Sequence, residues 1–162
     1  MFGWLRKKAE SKIVQSHLSA MLPWLRQLST LSDEGVAAVY LSALYIRNIT
    51  RRSTGIDLMN PDEALGKNKM LAVHLGGQVR KAQKSSLYNS AIGFKVWVFT
   101  IRSVMHAELR PIGLEMWRQL SRGLPHVDGL AKEVSDRSGY ENDLSDLGRV
   151  PAGFEAAVDE RR

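Results

Sequence analysis

The chain reads as an all-α protein: about five helices in one bundle-like domain over residues 1–122, then a loosely ordered acidic tail over 123–162. Three observations carry that reading. Apolar residues recur at steps of three and four rather than two. Helix start and stop residues punctuate the chain where those stripes begin and end. Only one run, "FKVWVFTIR" (94–102), has the aromatic and β-branched content of a strand, and a lone strand makes no sheet.

The first helix follows from Leu5, Ile13, Met21, Leu25 and Leu28, near helical spacing, with Pro23 expected to kink or split it. "TLSDEG" supplies Ser32 as the N-cap of a second helix, and Asp33 and Glu34 suit the positive end of its dipole. That helix should run to about Arg52, with Arg51 and Arg52 at its negative end and Gly55 as the stop. "NPDEAL" combines a capping Asn60, Pro61 at the first helical position and Glu63 where a capping box wants it. A third helix should start there and run toward Lys84, weakened at Gly76-Gly77. Leu87, Ala91, Phe94, Val98, Ile101 and Met105 set a fourth helix over about Ser86 to Leu109. Pro111 opens a short fifth that ends near Gly123. Beyond Leu124 large apolar residues thin out, and only a turn or two of helix is expected.

Residues 36–46 and the fourth helix are apolar nearly all round, which marks buried helices. Two of them are much for five helices to cover, so a homodimer through Val36–Ile46 or Ala91–Ile101 is expected.

Charge is unevenly spread. Residues 1–122 carry 18 Lys/Arg and 8 Asp/Glu, a balance of +10; residues 123–162 carry 5 and 9, a balance of −4. A basic body with an acidic tail points to an anionic partner, or to a tail that folds back over the body. The absence of cysteine removes disulfides, thiolate metal sites and cysteine nucleophiles. The opening "MFGWLRKKAESK" has its apolar residues before its cations, the reverse of a secretory signal, and no window reaches the ~18 apolar residues of a membrane span. A cytoplasmic setting is the expectation.

Most catalytic templates are missing. "LGKNKM" holds Gly66-Lys67 without the rest of a phosphate-binding loop, and neither G-x-G-x-x-G, G-x-S-x-G nor H-E-x-x-H occurs. None of His17, His74, His106 and His126 follows a glutamate by three residues, as a di-iron bundle requires. No metal site or cofactor is called for. Trp24, Trp97 and Trp117, with six methionines, fit plain core better than a ligand pocket.

Three constellations remain. Arg102 and His106 sit at i and i+4, beside Glu108 and Arg110, where an anion clamp next to an acid–base group would suit phosphodiester chemistry. From Ala64 to Ala107 there are 44 residues without a carboxylate, and cations spread over helical faces: Lys67, Lys69, Arg80, Lys81, Lys84, Lys95 and Arg102, joined by His74 and His106. Lys67, His74 and Lys81 recur every seven residues, and Lys84, Tyr88, Lys95, Phe99, Arg102 and His106 follow three- and four-residue steps. Cations interleaved with aromatics suit a phosphate backbone and stacked bases; the plainer account is a solvated face. At the amino end Phe2, Trp4 and Leu5 adjoin Arg6, Lys7 and Lys8, a composition for weak contact with an anionic membrane.

The sequence therefore supports a non-enzymatic helical binding or regulatory protein that engages nucleic acid or an acidic protein face through a basic surface. Two alternatives stand beside it: a small phosphodiester-acting enzyme using Arg102 and His106, and a peripheral membrane protein anchored by its amino-terminal helix.

Overall fold

A computed structural model of the chain describes residues 2–67, 89–138 and 147–159. Among the described residues there are seven α-helices: α1 Phe2–Thr30, α2 Asp33–Thr54, α3 Pro61–Lys67, α4 Ser90–Met105, α5 Arg110–Ser121, α6 Leu124–Ser138 and α7 Ala156–Asp159, with a 3₁₀ turn at Ala107–Leu109 between α4 and α5. The described residues form an all-α bundle without strands.

α1 buries Val14, Met21, Trp24 and Leu28, one face at steps of seven, three and four. Pro23 does not divide it. Pro23 and Ser19 are both exposed, so the carbonyl that loses its donor faces water. Leu5 and Ile13, expected on the buried face, lie on the surface instead, because the first turns of α1 extend past the body: residues 3–13 are all exposed.

α2 is the central helix and starts and stops as its caps dictate. Ser32 Oγ accepts from the Gly35 N–H at 3.1 Å, and Gly55 takes φ 72° while its N–H donates to the Arg51 carbonyl at 2.8 Å. Val36, Ala37 and Val39 through Ile46 are buried within this one chain. The apolar surface that called for a dimer through Val36–Ile46 is thus covered by the chain's own helices. On α4, Phe94, Val98 and Ile101 are only partly buried.

α4 lies against α2 at close range. An added Cβ on Gly93 would stand 2.1 Å from the Ser42 carbonyl oxygen, so glycine is what admits the contact. Two hydrogen bonds tie the same junction: Trp97 Nε1–H donates to the Ala43 carbonyl at 2.7 Å, and the Asn89 N–H donates to Ser42 Oγ at 2.9 Å. Asn89 Oδ1 also caps α4, accepting from the Ala91 N–H at 2.9 Å. The core is aromatic at its centre. Trp97 and Trp117 rings stand 5.5 Å apart, Tyr40 meets Trp117 edge-on at 6.3 Å, and Trp117 Nε1–H donates to Thr100 Oγ1 at 3.0 Å.

One buried ion pair holds the α2–α3 connection. Arg47, 1% exposed, donates from Nε and Nη2 to the two Asp57 oxygens, both at 2.9 Å. Burial acts to raise the Asp57 carboxyl. The hydrogen bonds from Arg47 and the Met59 N–H, with the charges of Arg47 and Arg51, outweigh it and hold the group below the usual carboxylate range.

Described residues beyond 122 also reach the body. α6 packs on α2 through Val127 and Ala131. Residues 147–159 return to the body, where Val150, Phe154 and Ala157 are buried. Tyr40 OH donates to the Arg149 carbonyl at 2.9 Å, the Ala152 N–H donates to the Met59 carbonyl at 2.8 Å, and Arg110 Nη2 donates to the Gly153 carbonyl at 2.5 Å. A few large apolar residues suffice to hold a segment when each fills a core position.

Candidate functional site

Lys95 and Arg102 stand seven apart on α4 with His106 four further on, just past its end, and His17 and Trp24 stand seven apart on α1. The fold sets these two rows side by side. Lys95 Nζ lies 4.9 Å from the centre of the Trp24 ring, and the His17 and His106 rings stand 5.5 Å apart at 44°. The helices run in opposite senses along this seam, since lower numbers on α1 meet higher numbers on α4.

α4 stops at Met105, earlier than the expected Leu109, and His106 leaves it with extended backbone at φ −126°, ψ 112°. Its N–H still donates to the Arg102 carbonyl at 3.0 Å, and its own carbonyl accepts from the Leu109 N–H at 3.0 Å. The residue is pinned at a corner rather than continued on the helix face, and its ring turns to His17. Arg102 lies over the Phe99 ring, with its Cζ 5.7 Å from the ring centre. Phe99 itself is buried, so of the expected row of cations and aromatics it serves the core and is closed to a stacked base.

The electrostatics of the cluster are those of cations short of counter-charge. Burial lowers the Arg102 guanidinium from its ordinary value. No carboxylate among the described residues comes within ion-pair range of it. Burial lowers the His17 imidazole first, then the charges of Arg102 and His106 lower it further. An anion at this point would offset the last two effects and favour a protonated His17.

Ring centres 5.5 Å apart put both histidines within reach of one anion. Among the described residues no group of three His, Cys, Asp or Glu is gathered to hold a metal.

Beside the seam, a groove of about 490 Å³ is lined by Lys7, Glu10, Ser11, Val14, Gln15, Leu18 and Glu108. Two carboxylates against one cation make it a poor place for an anion.

The remaining sequence candidates divide by position. Lys69, His74, Arg80, Lys81 and Lys84 lie outside the described residues, as does the side chain of Lys67 at the end of α3. The proposed seven-residue stripe and the extension of the third helix toward Lys84 fall there too. At the amino end, Trp4, Leu5, Arg6, Lys7 and Lys8 are all exposed, and the side chain of Phe2 lies outside the description. No described helix is long and apolar enough to cross a membrane. Sequence reasoning missed His17, which stands 89 positions from His106 and carries no motif. Its only signal is the seven-residue interval to Trp24, visible once the facing helix is known.

Searches for a matching family model, a similar curated protein or a similar solved structure each find none.

Proposed function

We propose that this chain is a helical binding protein that holds the phosphate backbone of a nucleic acid along the α1–α4 seam, without acting on it chemically. The observation that supports it is Arg102, partly desolvated, over an aromatic ring, with two histidines beside it and no carboxylate paired to it among the described residues. Withdrawing a cation from water is unfavourable unless an anion repays it, and a guanidinium fork fits phosphate oxygens two at a time. Lys95 and Arg102 are spaced along α4 by about 10 Å at 1.5 Å per residue, with His106 just past its end, which suits a chain of repeating charges. The carboxylate-free interval from Ala64 to Ala107 agrees in sign.

The test is fluorescence anisotropy with an end-labelled single-stranded oligonucleotide, in parallel with poly-glutamate as competitor. Binding should weaken steeply with salt, and Arg102→Gln should weaken it about tenfold or more while lowering the log–log salt slope by about one phosphate. Poly-glutamate that competes as well as unlabelled oligonucleotide would move the reading to an acidic protein face. Shortening of the oligonucleotide that His106→Ala abolishes would restore the enzyme.

A further inference from the structure

The amino-terminal turns of α1 have no place in the nucleic-acid reading, yet they form the longest fully exposed helical stretch among the described residues. Residues 3–13 lie entirely on the surface, and Trp4 and Leu5 keep 66% and 53% of their area open to water. We propose that this stretch docks on an anionic lipid surface, lying along it through Trp4, Leu5, Lys8 and Lys12.

Geometry selects those four. At 100° per residue, Lys8, Lys12 and Leu5 fall about 40°, 80° and 100° round the helix from Trp4. The arc they make is centred about 130° from Val14, the first buried residue of α1, so it looks away from the body. Glu10, the stretch's single carboxylate, falls outside the arc and on the groove side, where it accepts from Arg6 Nε at 3.3 Å. The docking arc therefore holds two cations, two apolar side chains and no anion.

Lys8 Nζ stands 5.1 Å from the centre of the Trp4 ring. An ammonium beside an exposed indole is suited to the boundary of a bilayer, where the ring enters the headgroup layer and the charge stays with the lipid phosphates. An acidic protein face would satisfy Lys8 and Lys12 and leave Trp4 and Leu5 against polar surface. A lipid headgroup layer takes all four, which commits the proposal to a membrane. A stretch of this length gives reversible attachment, strong at low salt and weak at high salt.

The fluorescence of the protein makes the test specific. Of its four tryptophans, Trp24, Trp97 and Trp117 are buried, so a change of environment at the surface reports Trp4. Vesicles of phosphatidylcholine mixed with phosphatidylserine should shift the emission to the blue at low salt; pure phosphatidylcholine should not. Trp4→Ala should abolish the shift. Lys8→Gln with Lys12→Gln should weaken co-sedimentation with the anionic vesicles by about 25-fold, at about fivefold per cation, with unchanged helical circular dichroism. Arg102→Gln should leave vesicle binding as it is, which separates this surface from the seam. The proposal is overturned by equal binding to neutral and anionic vesicles, by undiminished sedimentation of the lysine pair variant, or by poly-glutamate producing the same blue shift.

Discussion

Gly93→Ala sets two effects of opposite sign against each other. Inside a helix, alanine is favoured over glycine by about 1 kcal/mol. Yet the new Cβ would stand 2.1 Å from the Ser42 carbonyl oxygen and 2.5 Å from its carbon, where ordinary contact begins near 3.4 Å. Both neighbours are helix backbone, so no side chain can swing aside, and α4 must retreat from α2 by more than about 1 Å. That retreat strains the bonds from Trp97 Nε1 to the Ala43 carbonyl at 2.7 Å and from the Asn89 N–H to Ser42 Oγ at 2.9 Å. An orphaned buried indole N–H costs about 1–3 kcal/mol, and overpacking a further ~1–3 kcal/mol. After the helix-propensity gain, the variant should be destabilised by about 1–5 kcal/mol, a fall in Tm of roughly 2–20 °C for a chain of this size. Gly129→Ala is the control. It lies in α6, exposed, with nothing within 4 Å of the added Cβ, and should raise stability by about 0.5–1 kcal/mol. Urea denaturation followed by circular dichroism reads both. A Gly93→Ala protein as stable as the parent would refute the close approach of α4 to α2.

Phe154 is fully buried, so Phe154→Ala should cost about 3–5 kcal/mol in the same assay; a change under ~1 kcal/mol would mean that residues 147–159 do not dock. Asp57→Asn removes the charged partner of buried Arg47, and with Asp57 itself one-quarter exposed the loss should be about 2–3 kcal/mol near neutral pH. Because the Asp57 carboxyl is held low in the folded state, its contribution is full above the ordinary carboxylate range and disappears as pH falls through the folded value, so the variant should lose less stability on acidification than the parent. His17 has the opposite chemistry but the same sign: its folded value lies below 6.5, so the unfolded chain binds more protons and stability should decline as pH drops from about 6.5 toward that lower value. His17→Gln should flatten that decline, as measured by urea midpoints across the interval.

Local chemistry was legible in the sequence wherever one residue acts on its own turn. Ser32 caps α2, Gly55 ends it, Pro61 opens α3, and "FKVWVFTIR" is helical as the absence of a partner strand required. What sequence reading misjudged depends on the far side of a contact. Pro23 was expected to break α1, but an exposed carbonyl makes the defect tolerable. Val14 rather than Ile13 takes the core position, because the direction from which the body approaches is set by α5 and the 3₁₀ turn before it. Of the candidate site, Arg102 and His106 were found from spacing and cation content. His17 was not, since a single histidine gains meaning only from the helix that passes it.

The hydrogen bond between Tyr40 and Arg149 joins residues 109 positions apart, and it has a consequence during synthesis. At about 5–20 residues per second, a ribosome that has just added Tyr40 needs roughly 5–20 s to reach Arg149. For that interval Val36–Ile46 exists as an apolar segment whose final cover, including α4 and α6, has yet to be made. The nascent chain must therefore pass through a stage that offers this apolar segment to whatever waits at the tunnel exit, and closure of the core is an event that follows its synthesis rather than accompanies it.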